Sequence, residues 1–201
     1  MNSRQELVDC VKSLYAMGLT TSVSGNHSIR MGSGNRRWMW ITPSSVPRYK
    51  LRPADLVRVN LITGKVVGKG KPSIELEMHR GIYNVRQDIN AIVHTHSPFT
   101  IGVSISSKFR HVIEEAKIVV GEPVIIENSP SGSTELAKAV SEEFKKGVRA
   151  VVIKNHGVVA GGSNLDNSRA IVESLEEWAK ILSVRNVWRT IGLARLIKLY
   201  A

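Results

Sequence analysis

Two short apolar runs, each followed closely by a histidine, constrain the fold of this chain most strongly. The first is Ala91–His94 (AIVH), and the second is Arg149–Ile153 (RAVVI), three residues before His156. Short apolar runs bounded by polar residues are typical of buried strands. The sequence therefore predicts two buried strands within mixed α and β structure.

Helices and further strands are predicted around these runs. Helical spacing of apolar residues covers Arg4–Met17 and Ile74–Arg86, and a long helix is predicted over about 167–186. Another helix begins at the predicted N-cap Ser133 and ends before Gly147. Two strands flank the SGNRR turn, a hairpin turns at Thr63-Gly64, and Gly121-Glu122-Pro123 divides two strand-like pieces within Lys117–Glu127. Because no repeat, low-complexity tract or linker interrupts the chain, we expect one domain spanning residues 1–201.

The compartment is suggested by cysteine usage and by the absence of targeting patterns. Cys10 is the single cysteine, which excludes an internal disulfide and fits a reducing compartment. The N-terminus lacks a secretory pattern, and no apolar run approaches the roughly 20 residues that cross a bilayer. We expect a cytoplasmic protein without a membrane partner.

The formal net charge of +11 indicates an anionic partner or a charge-rich surface. Nucleic acid is one candidate, but the basic residues are scattered, and no zinc finger, aromatic stacking motif or basic helix with heptads is present. The charge therefore favours a soluble enzyme with an anionic substrate, or a surface adapted to high temperature, over a nucleic-acid-binding protein.

His94-Thr95-His96 is the most informative short motif. Residues i and i+2 of an extended segment project to the same face, so both imidazoles can grip one ion. His156 could supply a third ligand, and three protein ligands leave a catalytic zinc site open to water or substrate. Hydrogen-bonded structural histidines would give the same pattern, so both interpretations stay open at this point. No metal role is assigned to the remaining histidines, His27, His79 and His111.

Glu75 opens the predicted helix that follows Lys71-Pro72-Ser73. A carboxylate there is favoured by the helix dipole alone. Beside a metal-bound substrate, it could instead act as a general base, or as a fourth ligand that leaves when substrate arrives.

Five motifs in order resemble the class II aldolase/adducin family: GNHSIR, ITPSSVP, KPSIE, AIVHTHSP and VVIKNHGVVAGG. They span about residues 25–162, and the flanking helices also fit. The resemblance implies a single-domain, three-layer α/β/α sandwich with a largely antiparallel central sheet. It also implies a homotetramer with active sites at subunit interfaces.

The resemblance assigns roles residue by residue. His94, His96 and His156 match the metal ligands, which would bind Zn²⁺, with Mn²⁺ or another divalent ion as alternatives. Glu75 matches the catalytic acid/base and possible additional ligand. The substrate phosphate would be bound by the loop residues Gly25, Asn26, Ser44, Ser45 and Ser73, whose backbone N–H groups and hydroxyls suit an anion.

The chain departs from the family pattern in three places. Ser44-Ser45 replaces Ser-Gly or Thr-Gly, and Ile74 removes a hydroxyl from the expected phosphate site. The aldolases also use an interface tyrosine after H-x-H, and SKFRHVIEEAK contains none. A second aldolase tyrosine lies near the C-terminus, and Tyr200 is the candidate for that catalytic role.

The resemblance implies a lyase acting on a sugar phosphate. Glutamate at position 75 resembles the aldolases, which cleave a fuculose-1-phosphate-like ketose to dihydroxyacetone phosphate and an aldehyde. The alternatives are a pentulose-5-phosphate 4-epimerase, which generally carries aspartate there, and a methylthioribulose-1-phosphate dehydratase. A non-catalytic, adducin-like interaction module is the alternative from a different class, and the retained histidines argue against it.

Overall fold

A computed structural model describes residues 3–32, 34, 36–68, 70–106, 109–110 and 112–200, without the side chains of 106 and 193–200. Within this part of the chain, eight strands form one sheet: β1 (Asn26–Arg30), β2 (Trp38–Ile41), β3 (Val57–Asn60), β4 (Val66–Val67), β5 (Ala91–Thr95), β6 (Val124–Ile126), β7 (Ala150–Ile153) and β8 (Gly157–Gly162). The α-helices are α1 (Ser3–Ala16), α2 (Leu76–Val85), α3 (Pro98–Ser106), α4 (Glu114–Val120), α5 (Thr134–Lys145) and α6 (Leu165–Tyr200).

The sheet is mixed, which corrects the expectation of a largely antiparallel one. The strand order is β4-β3-β2-β1-β5-β8-β7-β6, and β6 pairs with β7 in parallel. The chain passes from β6 to β7 through α5, and such a crossover carries the chain back to the edge of the sheet where β6 began. The β7–β8 connection is a tight turn, and that pair is antiparallel.

The central strands are buried on both faces, as their apolar sequences predict. Successive side chains of a strand point to opposite faces, so β5 places Val93 in one apolar cluster and Ile92 in the other. The first cluster includes residues of α1, α3, α4 and α6, and the second includes residues of α2 and α5. Burial of each such side chain stabilises the fold by about 1.5–3 kcal/mol. The strand ends that carry histidine are therefore firmly held.

The segment before β6 is a helix, so the prediction of two strand-like pieces is wrong in its first half. Glu114 and Glu115 lie in the first turn of α4, where carboxylates favour the helix dipole. Ala116 and Val120, four residues apart, are both buried on one helix face. Gly121 then ends the helix with φ of 76°, a conformation that glycine adopts easily.

Near the C-terminus, α6 extends from Leu165 to Tyr200, well beyond the predicted end near 186. The sequence interpretation also missed α3 and β8. None of the helices in the described ranges combines the length and the apolar character needed to cross a membrane.

Candidate metal centre

The structure brings His94, His96 and His156 together at one end of the central strands. His94 lies in β5, His96 follows it, and His156 lies in the β7–β8 turn, next to the β8 strand that pairs with β5. The ring centroids are 5.0–5.1 Å apart. One nitrogen from each ring lies within 4.8 Å of the other two. Three imidazoles from two chain segments can thus reach one ion.

Glycine allows the two segments to approach so closely. A Cβ atom on Gly157 would lie 2.3 Å from the Thr95 carbonyl oxygen and 3.1 Å from His94 Cε1. The neighbouring Asn155 has φ of 57°, a left-handed conformation that asparagine tolerates better than most residues. The turn therefore delivers His156 against β5 because the next residue has no side chain.

The hydrogen bond of His94 fixes which of its nitrogens can bind a cation. Its Nδ1 lies 3.0 Å from the Val158 carbonyl oxygen, which only accepts, so Nδ1 carries the proton. In the neutral ring, Nε2 then carries a lone pair. An imidazole that donates its other N–H to a backbone carbonyl is the usual arrangement of a metal-bound histidine.

Buried atoms without hydrogen-bond partners face one another in this cluster. They include His94 Nε2 and Glu75 Oε1. His94 Nε2 lies 3.2 Å from Glu75 Oε2, and His156 Nε2 lies 3.4 Å from Glu75 Oε1. Ligand atoms about 2.05 Å from a tetrahedral zinc ion are separated by about 3.3 Å. A divalent cation among these groups would satisfy their lone pairs, so the residues fit one.

Burial favours the neutral form of the His96 and His156 rings. Desolvation, followed by the charges of His94 and His156, lowers the pKa of His96 to about 3. Desolvation and the charge of His94 likewise lower the pKa of His156. Neutral imidazole is the form that binds a metal.

Glu75 is the N-cap residue of α2. Its backbone N–H donates a hydrogen bond to Ser73 Oγ at 3.2 Å. The Asn26 amide donates to Glu75 Oε2 at 2.7 Å. Burial by itself raises the pKa of the Glu75 carboxyl, but His94, Asn26 and His156 together hold it well below its usual value. Glu75 is therefore an ionised carboxylate, 4% exposed, that contacts His94 and His156.

The loops expected to bind phosphate are joined by backbone hydrogen bonds. Ser73 N donates to Thr42 O at 3.1 Å, and Ser44 N donates to Lys71 O at 3.1 Å. The Thr42 N–H in turn donates to His27 O at 3.0 Å. The segments containing Asn26, Ser44 and Ser73 are thus adjacent, although Ser45 is exposed and Ile74 is 60% exposed.

Two further features position this region and were missed by the sequence interpretation. Arg48, 3% exposed, donates to carbonyl oxygens of both loops, among them Gly25 O and Pro43 O. A Cβ atom on Gly25, whose φ is 71°, would lie 2.6 Å from His94 O. The phosphate-loop candidate Gly25 therefore packs directly on the histidine strand.

The second missed feature is a series of buried hydrogen bonds that starts at the Asn26 side chain. Its first contact joins Asn26 Oδ1 and His79 Nε2 at 2.6 Å. A sequence signal was available, because residues 75 and 79 are four apart and share one face of α2. Tyr200 lies at the C-terminal end of α6, and its side chain is outside the described residues. Its catalytic role stays a prediction.

The model of the class II aldolase and adducin N-terminal domain family matches residues 5–183, and the chain belongs to that family. Among its relatives, an L-fuculose phosphate aldolase from Methanococcus maripaludis is 34% identical over 90% of this chain and 96% of that protein. A 5-deoxy-D-ribulose 1-phosphate aldolase from Bacillus thuringiensis is 34% identical over 89% of this chain and 83% of that protein. The crystal structure of L-fuculose-1-phosphate aldolase from Thermus thermophilus superposes with a TM-score of 0.82 at 27% identity, over 92% of this chain and 95% of that one.

Proposed function

We propose that this protein is a metal-dependent aldolase that cleaves a phosphorylated ketose, similar to fuculose-1-phosphate, to dihydroxyacetone phosphate and an aldehyde. The observation that carries the proposal is the convergence of three imidazoles, two of which lie within 3.4 Å of a buried, ionised carboxylate. The names of the relatives support the same reaction class and a sugar-phosphate substrate.

The proposed roles follow from where each side chain lies. We propose that His94, His96 and His156 hold the ion, which when bound would polarise the substrate carbonyl as a Lewis acid. Glu75 is ionised, the state that accepts a proton from carbon in the condensation direction. In cleavage, the substrate hydroxyl would lose its proton to the site, and Glu75 would pass a proton to the nascent carbanion. Asn26 holds Glu75 Oε2 and so fixes the direction in which the carboxylate presents its oxygens.

Phosphate binding is proposed for the joined loops that contain Gly25, Asn26, Ser44, Ser45 and Ser73. Backbone N–H groups and hydroxyls at adjacent loops can form a concave site for an anion. The net charge of +11 would attract a phosphorylated sugar at long range.

Zinc is our proposed metal, because three imidazole nitrogens suit it and leave its fourth position open to substrate. Manganese would be the alternative, and metal analysis of the purified protein distinguishes the two.

We further propose that residues 1–201 form one cytoplasmic domain with three layers. Two apolar clusters, each formed by strand residues with a different set of helices, support this arrangement. Limited proteolysis tests the single domain, because a cleavage-resistant core much shorter than the chain would contradict it.

We propose that the protein is a homotetramer. An apolar stripe on α6 supports association with further copies, because Ile181, Val184, Trp188 and Ile191 are 40–66% exposed at spacings of three and four residues. The mass measured by light scattering tests this proposal, and Trp188→Glu should reduce that mass. The catalytic role of Tyr200 depends on the same assembly.

Product analysis tests the proposed reaction. Purified, metal-loaded protein incubated with fuculose-1-phosphate should release lactaldehyde and dihydroxyacetone phosphate. Conversion of ribulose-5-phosphate to an isomeric pentulose phosphate would indicate an epimerase, and loss of water from methylthioribulose-1-phosphate would indicate a dehydratase. Absence of both metal and turnover would support the non-catalytic interaction module.

A further inference from the structure

A line of buried hydrogen bonds runs from Tyr83 through Ser28, His79 and Asn26 to Glu75. Tyr83 Oη lies 2.9 Å from Ser28 Oγ, which lies 2.7 Å from His79 Nδ1. His79 Nε2 lies 2.6 Å from Asn26 Oδ1, and Asn26 Nδ2 lies 2.7 Å from Glu75 Oε2. Each of the five side chains belongs to a residue that is no more than 5% exposed.

The periodicity of the helix and that of the strand bring these five residues together. Glu75, His79 and Tyr83 are four residues apart, so they lie on one face of α2. Asn26 and Ser28 are two residues apart, so they lie on one face of β1. The helix face and the strand face meet, and their polar residues alternate along the line.

The chemistry at the Glu75 end determines the direction of every donor. The carboxylate only accepts, so Asn26 presents its NH₂ group to Glu75 and its oxygen to His79. An amide oxygen also only accepts, so His79 carries its proton on Nε2. Burial and the charge of His94 lower the pKa of His79 to about 3, so the ring is neutral and Nδ1 is an acceptor.

The far end of the line supplies the hydrogen-bond donor that His79 Nδ1 requires as an acceptor. Ser28 donates to His79 Nδ1 and must accept from Tyr83. Tyr83 Oη also lies 3.4 Å from Asn90 O, but its single proton serves the shorter contact with Ser28. Burial raises the pKa of Tyr83, so the phenol keeps that proton.

We propose that His79 is a positioning residue for the acid/base Glu75, and that Ser28 and Tyr83 hold it in its Nε2–H tautomer. This inference rests on the proposed function. In the Nδ1–H tautomer, a lone pair of His79 would face Asn26 Oδ1. The Asn26 amide would then rotate and turn its oxygen towards the Glu75 carboxylate. The line therefore prevents a wrong amide orientation next to the reacting carboxylate.

The tautomer is measurable in the wild-type protein without metal or substrate. Long-range ¹H–¹⁵N correlation spectra of ¹⁵N-histidine-labelled, metal-free protein near neutral pH report which ring nitrogen carries the proton. The His79 signals are assigned by their absence from the spectrum of His79→Gln. We expect a protonated Nε2 and a bare Nδ1. A protonated Nδ1, alone or together with Nε2, would overturn the proposal.

Ser28→Ala tests the role of the line in turnover. Loss of the Ser28 donor should let His79 populate the Nδ1–H tautomer and should lower kcat by roughly 10- to 100-fold, the usual range for partners that orient a reacting group. KM should change less than about twofold, and metal content should not change, because the histidine ligands remain in place. Tyr83→Phe should also lower kcat, by a smaller factor, with KM and metal content again nearly unchanged.

Ser141→Ala is the matched control, because Ser141 is also buried, lies in α5 and donates its hydroxyl to the Lys138 carbonyl oxygen of the same helix. An equal kcat in the Ser28→Ala and Ser141→Ala proteins would contradict the proposal. If Ser28→Ala does not fold, Tyr83→Phe and the wild-type spectrum decide. A wild-type protein with the expected tautomer but without cleavage activity would refute the proposed function, and with it the catalytic role of this line, while the hydrogen-bond assignment would stand.

Discussion

The candidate site has a metal side and a loop side that differ in how they are held. The metal side consists of His94, His96, His156 and Glu75, and the loop side consists of Ser44, Ser45 and Ile74. His94 is fully buried at the end of a strand whose residues are buried on both faces, whereas Ile74 is 60% exposed. The loop side is joined by hydrogen bonds between loops and to Arg48. The proposed metal ligands are therefore fixed by the core, whereas the proposed phosphate loops are held mainly by hydrogen bonds to one another and to Arg48.

Removal of the metal should have the largest effect. We expect chelation, or His156→Ala, to lower kcat/KM by roughly a thousandfold or more, because the proposed Lewis acid and its open position are lost together. Activity is measured before and after dialysis, and added zinc or manganese should restore it to the dialysed wild-type protein only. Full activity in metal-free protein would show that the reaction does not need an ion at the metal side.

Glu75→Gln should come next. The amide keeps the size of the side chain but cannot accept the proton, so kcat should fall by about 10²- to 10⁴-fold while the metal is retained. The matched control is Glu77→Gln, two residues away on the first turn of α2, where the side chain is half exposed and pairs with Arg80. Equal activity in the two variants would rule out an acid/base role for Glu75.

Gly157→Ala should disturb the metal side through the backbone. The new Cβ would lie 2.3 Å from Thr95 O, so we expect a loss of about 1–3 kcal/mol in the free energy of unfolding, together with weaker metal binding. Gly102→Ala in α3 is the control, because among the described residues its Cβ would meet no atom within 4 Å beyond its chain neighbours and the backbone of its own helix, and alanine favours a helix. Denaturant unfolding of both proteins measures the difference, and equal stability would show that the turn can relax.

Ile74→Ser should have the smallest effect, because it changes only the exposed loop side. A hydroxyl near the proposed phosphate site should lower KM for a phosphorylated ketose by about 2- to 10-fold, the range of one added hydrogen bond, with kcat nearly unchanged. Ile62→Ser is the control, since Ile62 is 63% exposed in the β3–β4 turn. The same KM in both variants would place the phosphate away from position 74.

The metal side was predictable from the sequence, because strand geometry and ligand chemistry together restrict the choices. An H-x-H motif after a buried strand fixes the side on which two imidazoles lie, and a third histidine after another buried strand is easily recognised. That His156 reaches the same point depends on the pairing of β8 with β5 and on the missing side chain of Gly157. Neither fact is visible in a local pattern.

Features that depend on tertiary contacts were not predictable. Arg48 gave no signal, because its partners are carbonyl oxygens, which every residue has. His79 was assigned no metal role, and the structure gives it a different place, behind Asn26. The strand prediction before β6 failed because the apolar run Ile118-Val119-Val120 favours a strand locally, whereas packing against α6 requires a helix.

X-ray absorption spectroscopy of the zinc-loaded wild-type protein tests the central claim most directly. We expect one ion per chain with three imidazole nitrogens at about 2.0–2.1 Å and the remaining positions filled by oxygen. The same spectrum from His156→Ala should show one imidazole fewer. A wild-type spectrum with fewer than three imidazoles, or one unchanged by that substitution, would contradict the account.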